Sequence, residues 1–174
     1  MVKKIDYCDV KNVPVSKIVV SNLNPRKFYN DDLLKELQCS VSEIGTLQPV
    51  ILEQKENGSY ELFVGTRRFL AAKAISVETI PAVIMKNVSD KQKIIFSLSE
   101  NLNRQELTPF EEANSYVDLL NKFEMSLKDI SRSTGVKEDY IRRRVQLLSL
   151  PAEIQKMVSN GRLNTNHVSA LVTI

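Results

Sequence analysis

The sequence predicts an α/β lobe followed by an all-helical lobe, and three observations carry that prediction. Strand-like and helix-like segments alternate up to about residue 105, and no strand signal follows. At the change of character, Thr108-Pro109-Phe110-Glu111 supplies an N-cap, a proline at the first helical position and a glutamate three residues on. Downstream, the segment Leu127–Leu148 contains two short helical patterns joined at Gly135, which is helix-turn-helix spacing. The boundary is placed at 104/105, giving an α/β domain over 1–104 and a helical domain over 105–174.

In chain order, Val13 to Val20 reads as a strand. Asp31 to Ile44 reads as a helix burying Leu33, Leu34, Leu37, Val41 and Ile44. Pro49–Glu53 and Tyr60–Val64 form a hairpin around Asn57-Gly58. A β-rich run then enters Gly65, and a helical run rich in Leu, Ala and Lys leaves it. Thr79 to Met85 is a further strand, and Ser89-Asp90-Lys91-Gln92 is a capping box opening a helix that runs to about Asn101. In the second lobe, helices are expected over Ser126–Ser133, Lys137–Leu148, Pro151–Ser159 and from about Thr165 onward. Ile141, Val145 and Leu148 fall within one arc and should face the core; Asp139, Arg142, Arg143 and Gln146 face away.

Composition narrows the function classes. The 174 residues carry a net charge of +3, which permits an anionic partner. From Ser126 to Arg162 eight Lys or Arg face four Asp or Glu, so more than the whole excess lies in the helical lobe. No apolar run approaches a membrane span, and Cys8 and Cys39 lack metal-ligand or disulfide-framework spacing. A cytoplasmic protein with two free thiols is the expectation.

Three segments carry candidate chemistry. Gly65-Thr66-Arg67-Arg68 opens a helix whose first amides have no intrahelical partner, and two arginines there ask for a phosphate or carboxylate. Surface acids are the other partners open to them. Glu100-Asn101-Leu102-Asn103-Arg104 combines a carboxylate and an amide oxygen suited to a hard cation such as magnesium with an arginine for phosphate; an ordinary helix terminus is the alternative. On the second helix of the helix-turn-helix, Lys137, Arg142, Arg143 and Gln146 suit phosphate and base-edge contacts. Against this, Glu138 and Asp139 stand at the end that approaches bases most closely, so a three-helix packing unit with a solvated basic face stays open.

Together these segments resemble the N-terminal and central domains of the ParB family of plasmid and chromosome partition proteins. The resemblance runs through Leu23-Asn24-Pro25-Arg26-Lys27, Gly45-Thr46-Leu47-Gln48-Pro49-Val50 and Gly65-Thr66-Arg67-Arg68, which stands where the family has Gly-Glu-Arg-Arg. It continues through Glu100–Arg104 and Leu107-Thr108-Pro109-Phe110-Glu111-Glu112-Ala113 to Gly161-Arg162-Leu163 and His167. The resemblance implies binding of centromere-like DNA through the helix-turn-helix, binding of CTP with magnesium in the α/β domain, closure of a dimeric clamp, and stimulation of a ParA-type ATPase. Carried over by position, Gly45, Thr46, Leu47, Gln48, Gly65, Thr66, Arg67, Arg68, Asn103 and Arg104 would hold the nucleotide. Glu100 and Asn101 would bind magnesium, and Arg162 and His167 would join the DNA contacts.

Two departures weigh against turnover. Thr66 replaces the family's glutamate and Asn24 its glutamine, and threonine cannot serve as a carboxylate base. A weak CTPase activity is therefore less expected than binding. An adaptor recruited to DNA by a separate centromere-binding protein, and a transcription regulator without nucleotide switching, are the rival readings. A small-molecule kinase would need a carboxylate base near the phosphates, for which Glu100 is a poor candidate, and sulfiredoxin chemistry would need a cysteine where Thr66 stands. The family's C-terminal dimerisation domain is not in this sequence, which is expected to be a piece of a longer chain.

Overall fold

The computed structural model describes residues 10–24, 31–44, 48–103 and 107–164. The chain divides into two compact units, Met1–Ser97 and Leu98–Ile174. The first is built on a five-stranded mixed sheet in the order β1-β5-β3-β4-β2. Its strands are β1 (Val10–Pro14), β2 (Ile18–Val20), β3 (Val50–Gln54), β4 (Tyr60–Val64) and β5 (Thr79–Met85). Helices α1 (Asp31–Ile44), α2 (Thr66–Ala74) and α3 (Asp90–Asn103) are interleaved, and the division between units falls inside α3.

The strand expected over Val13–Val20 is in fact two. Pro14 lacks the amide that a ladder needs, and a 3-10 turn over Val15–Lys17 follows it. The break lets the chain change edges: β1 pairs antiparallel with β5 on one side, and β2 pairs parallel with β4 on the other. No unbroken strand of eight residues could serve both edges. The central β3–β4 hairpin is antiparallel and closes around Asn57-Gly58, where the Ser59 amide donates to Asn57 Oδ1 at 3.0 Å.

The sheet is covered on both faces at the end of β4, so Leu62, Phe63 and Val64 are buried in succession rather than alternately. Leu62 joins Val50, Leu52, Ile80, Ala82 and Ile84 beneath Phe69 and Ala72 of α2. Its neighbour Phe63 points to the opposite side and packs with Val64, Met85, Val88 and Phe96 of α3. The Phe63 and Phe96 rings lie 6.2 Å apart in a tilted arrangement. On α1, Val41 is buried and Leu37 half-buried; the side chains of Leu33, Leu34 and Ile44 lie outside the described residues.

The second unit contains α4 (Pro109–Asn121), α5 (Leu127–Thr134), α6 (Glu138–Gln146) and α7 (Ala152–Ser159). Thr108 caps α4 through a reciprocal box: its Oγ1 accepts from the Glu111 amide at 3.2 Å, and Glu111 Oε2 accepts from the Thr108 amide at 2.9 Å. Ala113, Tyr116, Leu119, Ile130 and Ile141 are fully buried. The expected core stripe on α6 needs one correction. The helix tightens into a 3-10 turn over Leu147–Ser149, and Leu147, not Leu148, becomes the buried residue, packed with Val158, Ile154 and Phe110. The helix expected from Thr165 lies outside the described residues. No helix among the described residues is long and apolar enough to cross a membrane.

Candidate functional site

In the first unit, the junction of β4 and α2 is built around Gly65. Its φ of 94° is left-handed, and a Cβ there would stand 2.8 Å from Val50 Cγ1 of β3. Only glycine meets both demands, the backbone turn and the close approach to the neighbouring strand. The turn delivers Thr66, Arg67 and Arg68 to the first turn of α2 with no side-chain cap on its amides. Thr66 is 6% exposed, and its Oγ1 accepts a 2.7 Å hydrogen bond from Nδ2 of Asn24, equally buried. The two positions that depart from the expected motif are thus one contact. Asn24, from the loop after β2, was noted in the sequence only as a substitution; its pairing with a residue 42 positions away has no local signal.

Arg68 does more than present charge. Its Nη1 donates to the carbonyls of Gln48 at 2.9 Å and Pro49 at 2.7 Å, fastening the segment that leads into β3 to the start of α2. Arg67 beside it is half-buried and Gln48 is exposed. The structure therefore brings Gln48, Gly65, Thr66, Arg67 and Arg68 to one end of the sheet. Gly45, Thr46 and Leu47 lie outside the described residues.

A second polar cluster in this unit escaped sequence reading. Lys93, 4% exposed, donates to Glu61 Oε2 and lies 2.7 Å from Glu53 Oε2 as well. Lys55 reaches the same two oxygens at 2.6 Å, and Ser21 Oγ donates to Glu61 Oε1 at 2.6 Å. Burial works to raise the Glu61 carboxyl. The hydrogen bonds from Lys55, Lys93 and Ser21 and the charge of Lys93 outweigh it, and bring the group down to about 2. Glu53 is lowered by Lys55 and Lys93 against its own burial, and Lys93 is raised by its two carboxylate partners against its burial. The cluster ties the β3–β4 hairpin to the start of α3. A lysine three residues from Asp90 on a predicted helix looks like an ordinary surface pair, so nothing in the sequence flags its burial.

In the second unit, Glu100 is half-buried and Asn101 buried near the end of α3. A carboxylate and an amide oxygen are hard donors that fit magnesium, with water and phosphate oxygens completing its shell. Among the described residues no three of His, Cys, Asp and Glu gather into an all-protein cage. The side chain of Asn103, and Arg104 altogether, lie outside the described residues.

The helix-turn-helix is α5 and α6. Ser126 Oγ caps α5 by accepting from the Asp129 amide at 3.1 Å, and Gly135 ends it at φ 77° with its amide on Ser131 O at 2.8 Å. Nothing lies within 4 Å of where a Gly135 Cβ would stand, so backbone conformation alone calls for glycine there. Helix α6 starts at Lys137 without a side-chain cap, and Glu138 and Asp139 compensate by sitting in its positive first turn. Lys137, Arg142, Arg143 and Gln146 are exposed, as is Arg162 after α7; His167 lies outside the described residues.

Of three consecutive arginines on α6, Arg144 turns inward. Its Nε is 2.8 Å from Oε2 of buried Glu112, and its guanidinium stacks 4.8 Å from the Tyr140 ring centre. The Tyr140 hydroxyl accepts from Arg144 and donates to Glu112, while the Tyr116 hydroxyl donates to the other Glu112 oxygen at 2.9 Å. Burial raises both tyrosines above their ordinary range, with Glu112 adding to it, so they stay protonated donors. The paired glutamates of the Thr108–Ala113 segment thus have separate duties: Glu111 caps α4, and Glu112 anchors α6. Lys137 and Arg143 stand with Tyr140 and Leu102 around a cleft of about 520 Å³ beside the start of α6.

Comparison with known proteins agrees with this anatomy. The ParB N-terminal domain matches residues 1–102, and the ParB HTH domain matches residues 105–174. A nucleoid occlusion protein from Geobacillus sp. (strain WCH70) is 33% identical over 166 residues, covering 95% of this chain and 59% of the relative. The chain thus spans about 60% of the length of such relatives. Among solved structures, the C-terminally truncated chromosome-partitioning protein ParB from Caulobacter crescentus, complexed to the centromeric parS site, is 28% identical with a TM-score of 0.69, covering 90% of this chain and 81% of that one. The same protein complexed with CTP-gamma-S is 28% identical with a TM-score of 0.51, covering 96% and 93%. With both its lobes matched in order, the chain belongs to the ParB family.

Proposed function

We propose that this protein binds DNA through α5 and α6 and that CTP binding at the start of α2 gates that interaction. The observation that carries the reading is the division of labour on α6: Arg144 is consumed by the fold, while Lys137, Arg142, Arg143 and Gln146 are left on an exposed face. A helix whose packing is secured from within can offer its other side to a major groove without rearranging. The Caulobacter relative bound to parS supports the DNA half of the proposal, and its complex with CTP-gamma-S supports the nucleotide half.

On this reading the amides of Thr66 and Arg67 and the Arg67 side chain would bind phosphates at the α2 N-terminus. Arg68 would act chiefly by holding the Gln48–Pro49 backbone in place beside them. Glu100 and Asn101, near the end of α3, are the hard-oxygen pair that would hold magnesium. Because Thr66 Oγ1 already accepts from Asn24, and neither group is a base at neutral pH, the site is proposed to bind nucleotide with little or no hydrolysis. The wider role follows the family: partition or nucleoid occlusion, as a nucleoid- or plasmid-associated dimer. The relatives at 33% identity favour nucleoid occlusion over a role at a centromere-like site. A ParA-type ATPase partner goes with the partition role only.

Titration calorimetry with CTP, ATP and GTP in magnesium, with and without duplex DNA, tests the proposal. Selective CTP binding that alters DNA affinity is the expected result. DNA binding indifferent to every nucleotide would leave a plain DNA-binding regulator or adaptor.

A further inference from the structure

We infer that Asp139 is a positioning residue that presents the Arg142 guanidinium to the edge of a guanine, making guanine the base read by α6. The inference rests on the proposed DNA-binding role and adds what is recognised and how. An acid in the first turn of a groove-entering helix repels phosphates, so a purely electrostatic DNA-binding face would not carry one. Here the acid is engaged. Arg142 Nη1 donates to Asp139 Oδ1 at 2.8 Å, one helical turn back. The two side chains are 54% and 78% exposed and neither has another side-chain partner among the described residues, so their pairing contributes little to the fold.

The three arginines of this run are held in three different ways. Arg144 is buried against Glu112, and Arg143 Nε donates to the Asp139 backbone carbonyl at 3.3 Å. Arg142 alone is held by a carboxylate on the outer surface. Pairing reduces its pull on phosphates and occupies one of its two terminal nitrogens. The planar fork that remains has two parallel N–H donors, which match the O6 and N7 acceptors of guanine in the major groove. A paired arginine thus loses value as a phosphate anchor and gains it as a base reader.

The two roles predict opposite signs. Asp139→Ala should strengthen binding to arbitrary duplex DNA, because a repelling charge is gone, and should weaken discrimination. A duplex selected from a random pool by the wild-type protein serves as the probe, with each guanine replaced in turn by 7-deazaguanine, which lacks N7. Anisotropy titrations should show one guanine whose replacement costs the wild type about 5- to 100-fold in affinity. At that position Arg142→Lys, which keeps the charge, and Asp139→Ala should lose most of the penalty, while Asp139→Asn, which keeps an acceptor oxygen, retains part of it. A selected site whose guanines matter equally to the wild type and to Arg142→Lys overturns the inference, as does an Asp139→Ala variant with undiminished discrimination. Absence of any DNA binding by the wild type instead removes the parent reading.

Discussion

The start of α2 and the outer turns of α6 both carry adjacent arginines, and in each the fold has claimed one of them. At α2 the claimed residue is Arg68, spread over two backbone carbonyls; at α6 it is Arg144, locked onto a buried carboxylate. The carbonyls that Arg68 reaches are neutral and partly exposed, and they can turn to water if it is lost. Arg144 neutralises a charge that water cannot reach. A run of arginines therefore says that anions are near, but the type of partner decides how much stability each one carries.

The largest expected effect tests the stronger engagement. Arg144→Ala strands the Glu112 carboxylate and should destabilise the fold by about 3–5 kcal/mol, read as a shifted urea midpoint. A shift below about 1 kcal/mol would mean that Glu112 finds another partner. Next comes the Lys93 cluster. Glu61 has a depressed pKa, so its contribution is fully present above its ordinary value of 4.5 and drains away as pH falls toward 2. Lys93 is raised, so its share is present below 10.5 and lost only at higher pH. Denaturation midpoints should be flat with respect to this cluster near neutrality and fall below about pH 4.5, and Glu61→Gln should flatten that acid limb. Arg68→Ala should cost only about 1 kcal/mol yet weaken triphosphate binding by loosening the Gln48–Pro49 segment. Arg67→Ala should weaken triphosphate binding directly, read by titration calorimetry. Undiminished binding in the Arg67→Ala variant would remove that residue from the phosphate site. Smallest, Arg143→Gln should leave stability within about 0.5 kcal/mol and reduce the slope of DNA affinity against salt by about one counterion.

What was legible in the sequence was what local chemistry decides. The limits of α1 and β5, the capping boxes at Ser89 and Thr108 and the hairpin at Asn57-Gly58 depend on neighbours within a few residues, and each stands where the residues placed it. Non-local pairing was not legible. Val13–Val20 has the composition of one strand, and only the demand of two separate sheet edges divides it. Lys93 meets Glu61 across 32 positions, and Asn24 meets Thr66 across 42. The expected nucleotide and DNA residues were nameable because motifs carry residue types in order. The helical period put Arg142 and Arg143 on the outer face and left Arg144 off it, as the structure has them, but that Arg144 would meet Glu112 was not legible.

The strand order has a consequence for how the α/β unit assembles. Its first two strands occupy opposite rims, and each waits for a partner made much later: β1 for β5, β2 for β4. Only β3 and β4 are neighbours in both chain and sheet, so they close the shortest loop and should nucleate the unit. Substitutions at the hairpin turn should then slow folding, whereas those in β1 should chiefly hasten unfolding. On the ribosome, residues 10–20 emerge before the other strands and dock last, as the borders of a sheet begun at its centre.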